Sequence, residues 1–98
     1  MRLITTHQNA DFDGLASMVA AKKLYPDAEL AFPGSQERNV RDFIAQNLVY
    51  SHNFLKVKDI DPLEIKTLIL VDTRDSKRIG VFRNCLQNDN LKLHIYDH

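Results

Sequence analysis

The sequence has no tryptophan, a single cysteine, three glycines, three prolines and no excess of charge of either sign. One thiol, Cys85, permits neither an internal disulfide nor a thiolate cage for a metal, and it fits a reducing compartment. With 13 basic residues against 13 acidic ones, an extended surface for a long polyphosphate is disfavoured, although one or two phosphates can still be met locally. No platform of aromatic side chains for stacked bases is evident. No apolar run approaches the roughly 20 residues a membrane helix requires. The first residues also lack the charged-then-apolar pattern of a signal peptide. The expectation is a cytoplasmic chain with no membrane partner.

What is present is an alternation of strand and helix without repeats or linkers. Residues 2–6 form a short β-rich run. Residues 13–24 follow as a helix with Leu15, Met18 and Val19 on one face, ended by Tyr25-Pro26-Asp27 because proline cannot continue the ladder. Residues 29–32 predict a second strand, stopped by Pro33-Gly34. Ser35 suits the N-cap of a helix reaching about residue 48, with Val40, Phe43 and Ile44 facing inward. Residues 54–57 alternate weakly as a third strand. Residues 67–71 are apolar on both faces, as in the middle of a parallel sheet. Asp75 or Ser76 then caps a third helix through residue 87, packing Ile79, Phe82 and Cys85 or Leu86. Residues 91–96 read as a last, buried strand running straight into polar residues, so the 98 residues are expected to be a fragment. The order predicts one α/β domain of three α/β/α layers around a mostly parallel sheet of about four to five strands.

In such sheets ligands gather outside the carboxyl ends of the strands. Metal-ligand residue types stand at three of those ends: His7 with Asn9, Asp11 and Asp13 after the first strand, Asp72 after the central one, and Asp97-His98 after the last. Carboxylates crowded there repel one another, and divalent cations would relieve the repulsion. Imidazole and carboxylate without thiolate suit Mn²⁺ or Mg²⁺, with Fe²⁺, Co²⁺ or Zn²⁺ as substitutes. The set suffices for most of two ions, and two ions about 4 Å apart can activate a water and clamp phosphoryl oxygens. Each piece has a plainer reading: Asp13 before Gly14-Leu15 as a helix cap, Asp72-Thr73 as a strand-ending turn. Turn chemistry does not, however, require all of them at strand ends together.

At these residues the sequence resembles the DHH phosphoesterase superfamily. His7-Gln8-Asn9-Ala10-Asp11-Phe12-Asp13-Gly14-Leu15-Ala16-Ser17 matches its first motif. Leu70-Val71-Asp72-Thr73, followed by Ser76-Lys77-Arg78-Ile79-Gly80, matches the second. Asp97-His98 are the first two residues of an Asp-His-His third motif, so the resemblance covers almost the whole chain and places its end inside that motif. It implies that His7 and Asp11 hold a first metal, Asp13 and His98 a second, and that Asp72 bridges them. Asp72, Asp97 and His98 would be catalytic, Asp97 by orienting ligands through hydrogen bonds. The second histidine of the triplet, a fourth-motif aspartate and a substrate-binding domain would lie downstream. Catalysis is therefore expected of the parent protein and not of these residues alone. The phrases AAKKLYPDA and FPGSQERN look closest to a bacterial subgroup that joins the DHH region to CBS domains and a poly(A) polymerase or CCA-adding tRNA nucleotidyltransferase module. The implied substrate is a nucleotide, short RNA or similar phosphate compound. The implied partners are the downstream domains, with a homo-oligomer through those parts left open.

Arg74, Lys77 and Arg78 follow Asp72 and would either meet a substrate phosphate or open a solvated helix, Arg78 being the better candidate on family grounds. Asn9 is either a substrate or ligand-orienting residue or a turn former. The helix expected after Ser35 would present free amides to an anion or simply be capped. His52 and His94 read as surface or edge residues and Cys85 as core. Two functions therefore stand side by side: a two-metal phosphohydrolase, and a non-catalytic nucleotide- or RNA-binding module serving the attached nucleotidyltransferase.

Overall fold

The computed structural model describes residues 1–97 of the 98. Along the chain run β1 (Arg2–Thr5), α1 (Phe12–Leu24), β2 (Glu29–Ala31), α2 (Arg38–Ala45), α3 (Leu48–Asn53), β3 (Phe54–Leu55), β4 (Thr67–Val71) and β5 (Lys92–Tyr96). The strands form one sheet in the order β3-β2-β1-β4-β5, parallel at every pairing. This confirms the α/β class and the parallel sheet.

Period-two alternation of apolar side chains makes both faces of the sheet sticky. Ile4, Leu30, Ile69 and Val71 point to one face, where Leu15, Met18 and Ala21 of α1 and Val40 of α2 cover them. Leu3, Ala31, Leu68 and Leu70 point to the other, covered by Ile60, Ile65, Ile79, Phe82 and Cys85. The second cover is built from 3₁₀ segments rather than an α-helix. Residues 75–87, predicted as one helix, are divided into Ser76–Arg78 and Gly80–Gln87. The physical cause is Gly80, whose φ of 58° lies in the left-handed region. A Cβ there would sit 2.7 Å from the Pro33 carbonyl oxygen, so only glycine fits where the two loops meet.

Three further expectations need correction. Ser35 caps no helix, because its carbonyl accepts from the Asn9 N–H and the Glu37 N–H donates to Ala10 O, both at 2.8 Å. Those backbone groups tie residues 35–37 to the loop after β1, so α2 starts only at Arg38, and Asn47 separates it from α3. Phe43, expected inward, is exposed and packs edge-on against Phe12 at 5.7 Å between ring centroids. Finally, β5 is not a buried strand. It pairs only with β4 and is exposed along its whole length, leaving Leu93, Ile95 and Tyr96 uncovered by the described residues.

Candidate metal centre

The chain leaves β1 and winds through β2 and β3 to one side, then returns to place β4 and β5 on the other. The order reverses between β1 and β4, and the loops leaving their carboxyl ends diverge around a crevice. His7 leaves β1 into that crevice and Asp72 leaves β4 into it. Asp11 reaches it from the start of α1.

Several bonds set this edge. Thr6 Oγ1 donates to the Val71 carbonyl at 2.8 Å, pinning the end of β1 to the end of β4. The Gln8 N–H donates to Arg78 O at 2.6 Å and the Asp72 N–H to Tyr96 O at 2.9 Å. Asn9 and Asp72 adopt left-handed φ values of 55° and 60°. Asparagine and aspartate tolerate that region better than other non-glycine residues, yet it still costs about 1 kcal/mol or more. Such a conformation at the end of β4 aims Asp72 away from the strand direction and toward His7. Strain of this kind gathers at functional sites.

The side chains converge. His7 Nε2 lies 3.4 Å from Asp72 Oδ2 and 3.8 Å from Asp11 Oδ1. One donor atom from each of the three residues lies within 4.8 Å of the others. The His7 ring is buried, and its Nδ1 lies 2.9 Å from the Gln8 carbonyl oxygen, an acceptor only, so Nδ1 carries the hydrogen and Nε2 is left with a lone pair facing the carboxylates. Asp11 is fixed because its Oδ1 also accepts from the Gly14 N–H at 2.9 Å, which makes Asp11 the N-cap of α1. Gly14 lets this turn approach β1, since a Cβ there would stand 3.2 Å from Thr6 Oγ1. An imidazole nitrogen with two carboxylates, at metal–donor bonds of about 2.0–2.2 Å, closes on one ion after a contraction of a few tenths of an ångström.

The other expected residues are distributed around this centre. Asp13 is exposed in the first turn of α1 and stands outside the three-residue cluster. The capping role offered for it belongs to Asp11; the Asp-x-x-Gly spacing that marks a cap-to-third-residue bond was the available signal. Asp97 accepts from Arg74 Nε at 3.1 Å, which engages the guanidinium offered as a phosphate contact. Arg78 is exposed and meets the site through its carbonyl, which accepts from Gln8. Asn9 serves as a turn former, with its N–H bonded to Ser35 O. His98 lies outside the described residues. Sequence reasoning had not marked Thr6, whose hydroxyl joins the two strands that carry the cluster.

The order reversal and the His7–Asp11–Asp72 cluster define a class: a doubly wound parallel α/β domain with a candidate metal centre at its switch point. Across all 98 residues the chain is 47% identical to the A-adding tRNA nucleotidyltransferase of Geobacter sulfurreducens (strain ATCC 51573 / DSM 12127 / PCA). It spans 11% of that protein's length. No protein-family model matches the chain, and no solved structure matches it. Among the described residues no helix is long and apolar enough to cross a membrane.

Proposed function

We propose that the chain is the N-terminal portion of a DHH-type, metal-dependent phosphoesterase domain within a larger tRNA nucleotidyltransferase. Its reaction would be hydrolysis of a phosphodiester or phosphoanhydride in a nucleotide- or RNA-type substrate. The observation that carries this reading is the convergence of His7, Asp11 and Asp72 at the switch point. Full-length similarity to a tRNA nucleotidyltransferase supports the setting, although the phosphoesterase assignment rests on the residues alone.

These three residues would hold a divalent ion, Mn²⁺ or Mg²⁺, through Nε2 and two carboxylates. Such an ion, when bound, supplies Lewis-acid polarisation of a phosphoryl oxygen and lowers the pKa of water. The chain itself fixes the imidazole tautomer through Gln8 O and aims Asp72 through its left-handed backbone. The N-cap bond meanwhile restrains Asp11. A second ion would draw on Asp13, Asp72 and His98. The exposed position of Asp13 favours, as a second reading, a module that binds a phosphate ligand without turnover.

The test is made on the parent protein, with short RNA and with pyrophosphate. Mn²⁺-dependent release of mononucleotide or phosphate that disappears in Asp72→Ala supports the hydrolase. Activity unchanged by Asp72→Ala overturns the site. Saturable Mn²⁺ and RNA binding without any release favours the binding module.

A further inference from the structure

One residue past His7 the chain enters a second recess. Gln8, Lys77, Gly80, Val81, Arg83 and Asn84 line an open pocket of about 470 Å³, which Pro33 completes. The lining contains two cations and two side-chain amides but no carboxylate. Neither Lys77 nor Arg83 forms an ion pair with any described residue. Two cations facing one recess, with no acid to compensate them, create a local positive potential in a chain whose net charge is zero.

The backbone adds donors to this recess. Ile79 has φ −106° and ψ 16°, near the right-handed region, and Gly80 follows at φ 58° in the left-handed one. A right-then-left succession turns consecutive N–H groups, here those of Ile79, Gly80 and Val81, toward one concavity that binds anions. Gly80 and Val81 belong to the pocket wall.

We infer that this recess is a phosphate subsite, which receives a second phosphate group of a ligand whose first phosphate lies at His7, Asp11 and Asp72. The Arg83 guanidinium offers a planar fork to two phosphate oxygens, and Lys77 a mobile point charge. The amides of Gln8 and Asn84 and the backbone N–H groups supply further donors. Gln8 and His7 are consecutive, so their Cα atoms are about 3.8 Å apart and the two sites share one wall. The ligand is thus a compound with two phosphate groups, either a 5′-phosphorylated dinucleotide or an inorganic anhydride. The subsite depends on the phosphoesterase reading for its place in a reaction, and stands without it as an anion site.

The test is an amide-resolved NMR titration of the chain in EDTA, so that no metal contributes, with 5′-phosphorylated diadenylate in one arm and pyrophosphate in the other. Saturable shifts at Gln8, Gly80, Val81 and Asn84 are expected. They should weaken about tenfold or more in Lys77→Ala/Arg83→Ala, as loss of charged donors implies, and recover in Lys77→Arg/Arg83→Lys. All these side chains are exposed, so the variants keep the fold. The tighter arm identifies the source of the phosphate, and either ranking upholds the subsite. Absence of saturable shifts at these amides in both arms overturns it, as does undiminished binding by the alanine pair. Mn²⁺ binding by the same variants, measured separately, should equal that of the unaltered chain. Failure of the metal centre would show there and not in the EDTA titration.

Discussion

Asp11 has two roles that respond differently to substitution. Its Oδ1 caps α1 through the Gly14 N–H at 2.9 Å and also stands 3.8 Å from His7 Nε2. Asp11→Ala removes both roles and should cost about 1 kcal/mol of stability without metal, the usual worth of an N-cap. In a domain near 100 residues that is about 4–8 °C of Tm. Asp11→Asn keeps the cap, since asparagine caps as well as aspartate does, and should stay within a few tenths of a kcal/mol of the unaltered chain in EDTA. With Mn²⁺ the order changes. At a free ion concentration of 100 Kd the unaltered chain gains about 2.7 kcal/mol from binding, by RT ln(1 + [L]/Kd). Losing one carboxylate should weaken the ion about tenfold or more, at least as much as losing an outer-shell partner does. At the same ion concentration Asp11→Asn then gains only about 1.4 kcal/mol, so its metal-induced rise in Tm is roughly halved. Thermal denaturation of the three chains with and without Mn²⁺ reads both effects. A full metal-induced rise in Asp11→Asn would refute Asp11 as a ligand. An unaltered Tm of Asp11→Ala in EDTA would refute the capping role.

Gly80→Ala places a Cβ 2.7 Å from Pro33 O at a φ of 58° and should destabilise the chain by about 1–2 kcal/mol or more, read as a lower urea midpoint. Cys85 is buried, and desolvation pushes its thiol above the ordinary value; the folded chain should resist a thiol reagent at pH 8 and react once urea opens it. The fold thus prefers the neutral thiol, so Cys85's contribution to stability is in place below the unfolded-state pKa and declines as pH rises past it. Leu93 and Ile95 are 44% and 46% exposed on the edge strand β5, and Ile95→Lys should reduce concentration-dependent self-association of the chain in sedimentation. Equal association by both chains would mean that β5 is not the contact.

The strands and α1 were legible because their signals are local. The apolar residues 67–71 could only be a strand covered on both faces, and the spacing of Leu15 and Met18 on α1 shows directly in the core. The readings that failed depended on contacts distant in sequence. Ser35 looks like a cap until the loop after β1 takes its carbonyl. Residues 75–87 look helical because the pattern of Ile79, Phe82 and Cys85 fits a helix and a 3₁₀ segment alike. Only the approach of Pro33 explains why Gly80 must turn there. The burial expected for β5 followed from its composition, but an edge position is a property of strand order, which no single strand encodes. For the site, convergence of His7, Asp11 and Asp72 followed once their strands were taken as parallel neighbours, and β1 and β4 do pair directly.

The separation of Asp11 from Asp13 has a geometric origin that bears on how many ions this edge can hold. Asp11 is the N-cap and Asp13 the second residue of α1. Successive residues of a helix turn by about 100°, so side chains two apart leave on opposing faces and do not converge on one point. With Asp11 drawn toward His7 by its cap bond, Asp13 is directed away from the same ion. Asp13 can therefore serve only a separate ion, completed by Asp72 or by donors outside the described residues. In the chain alone, Mn²⁺ should titrate with one site and lose it in His7→Ala, while Asp13→Ala leaves that site intact. Calorimetry that finds two equal sites, or loss of the first site in Asp13→Ala, would show that the helix start rearranges on binding.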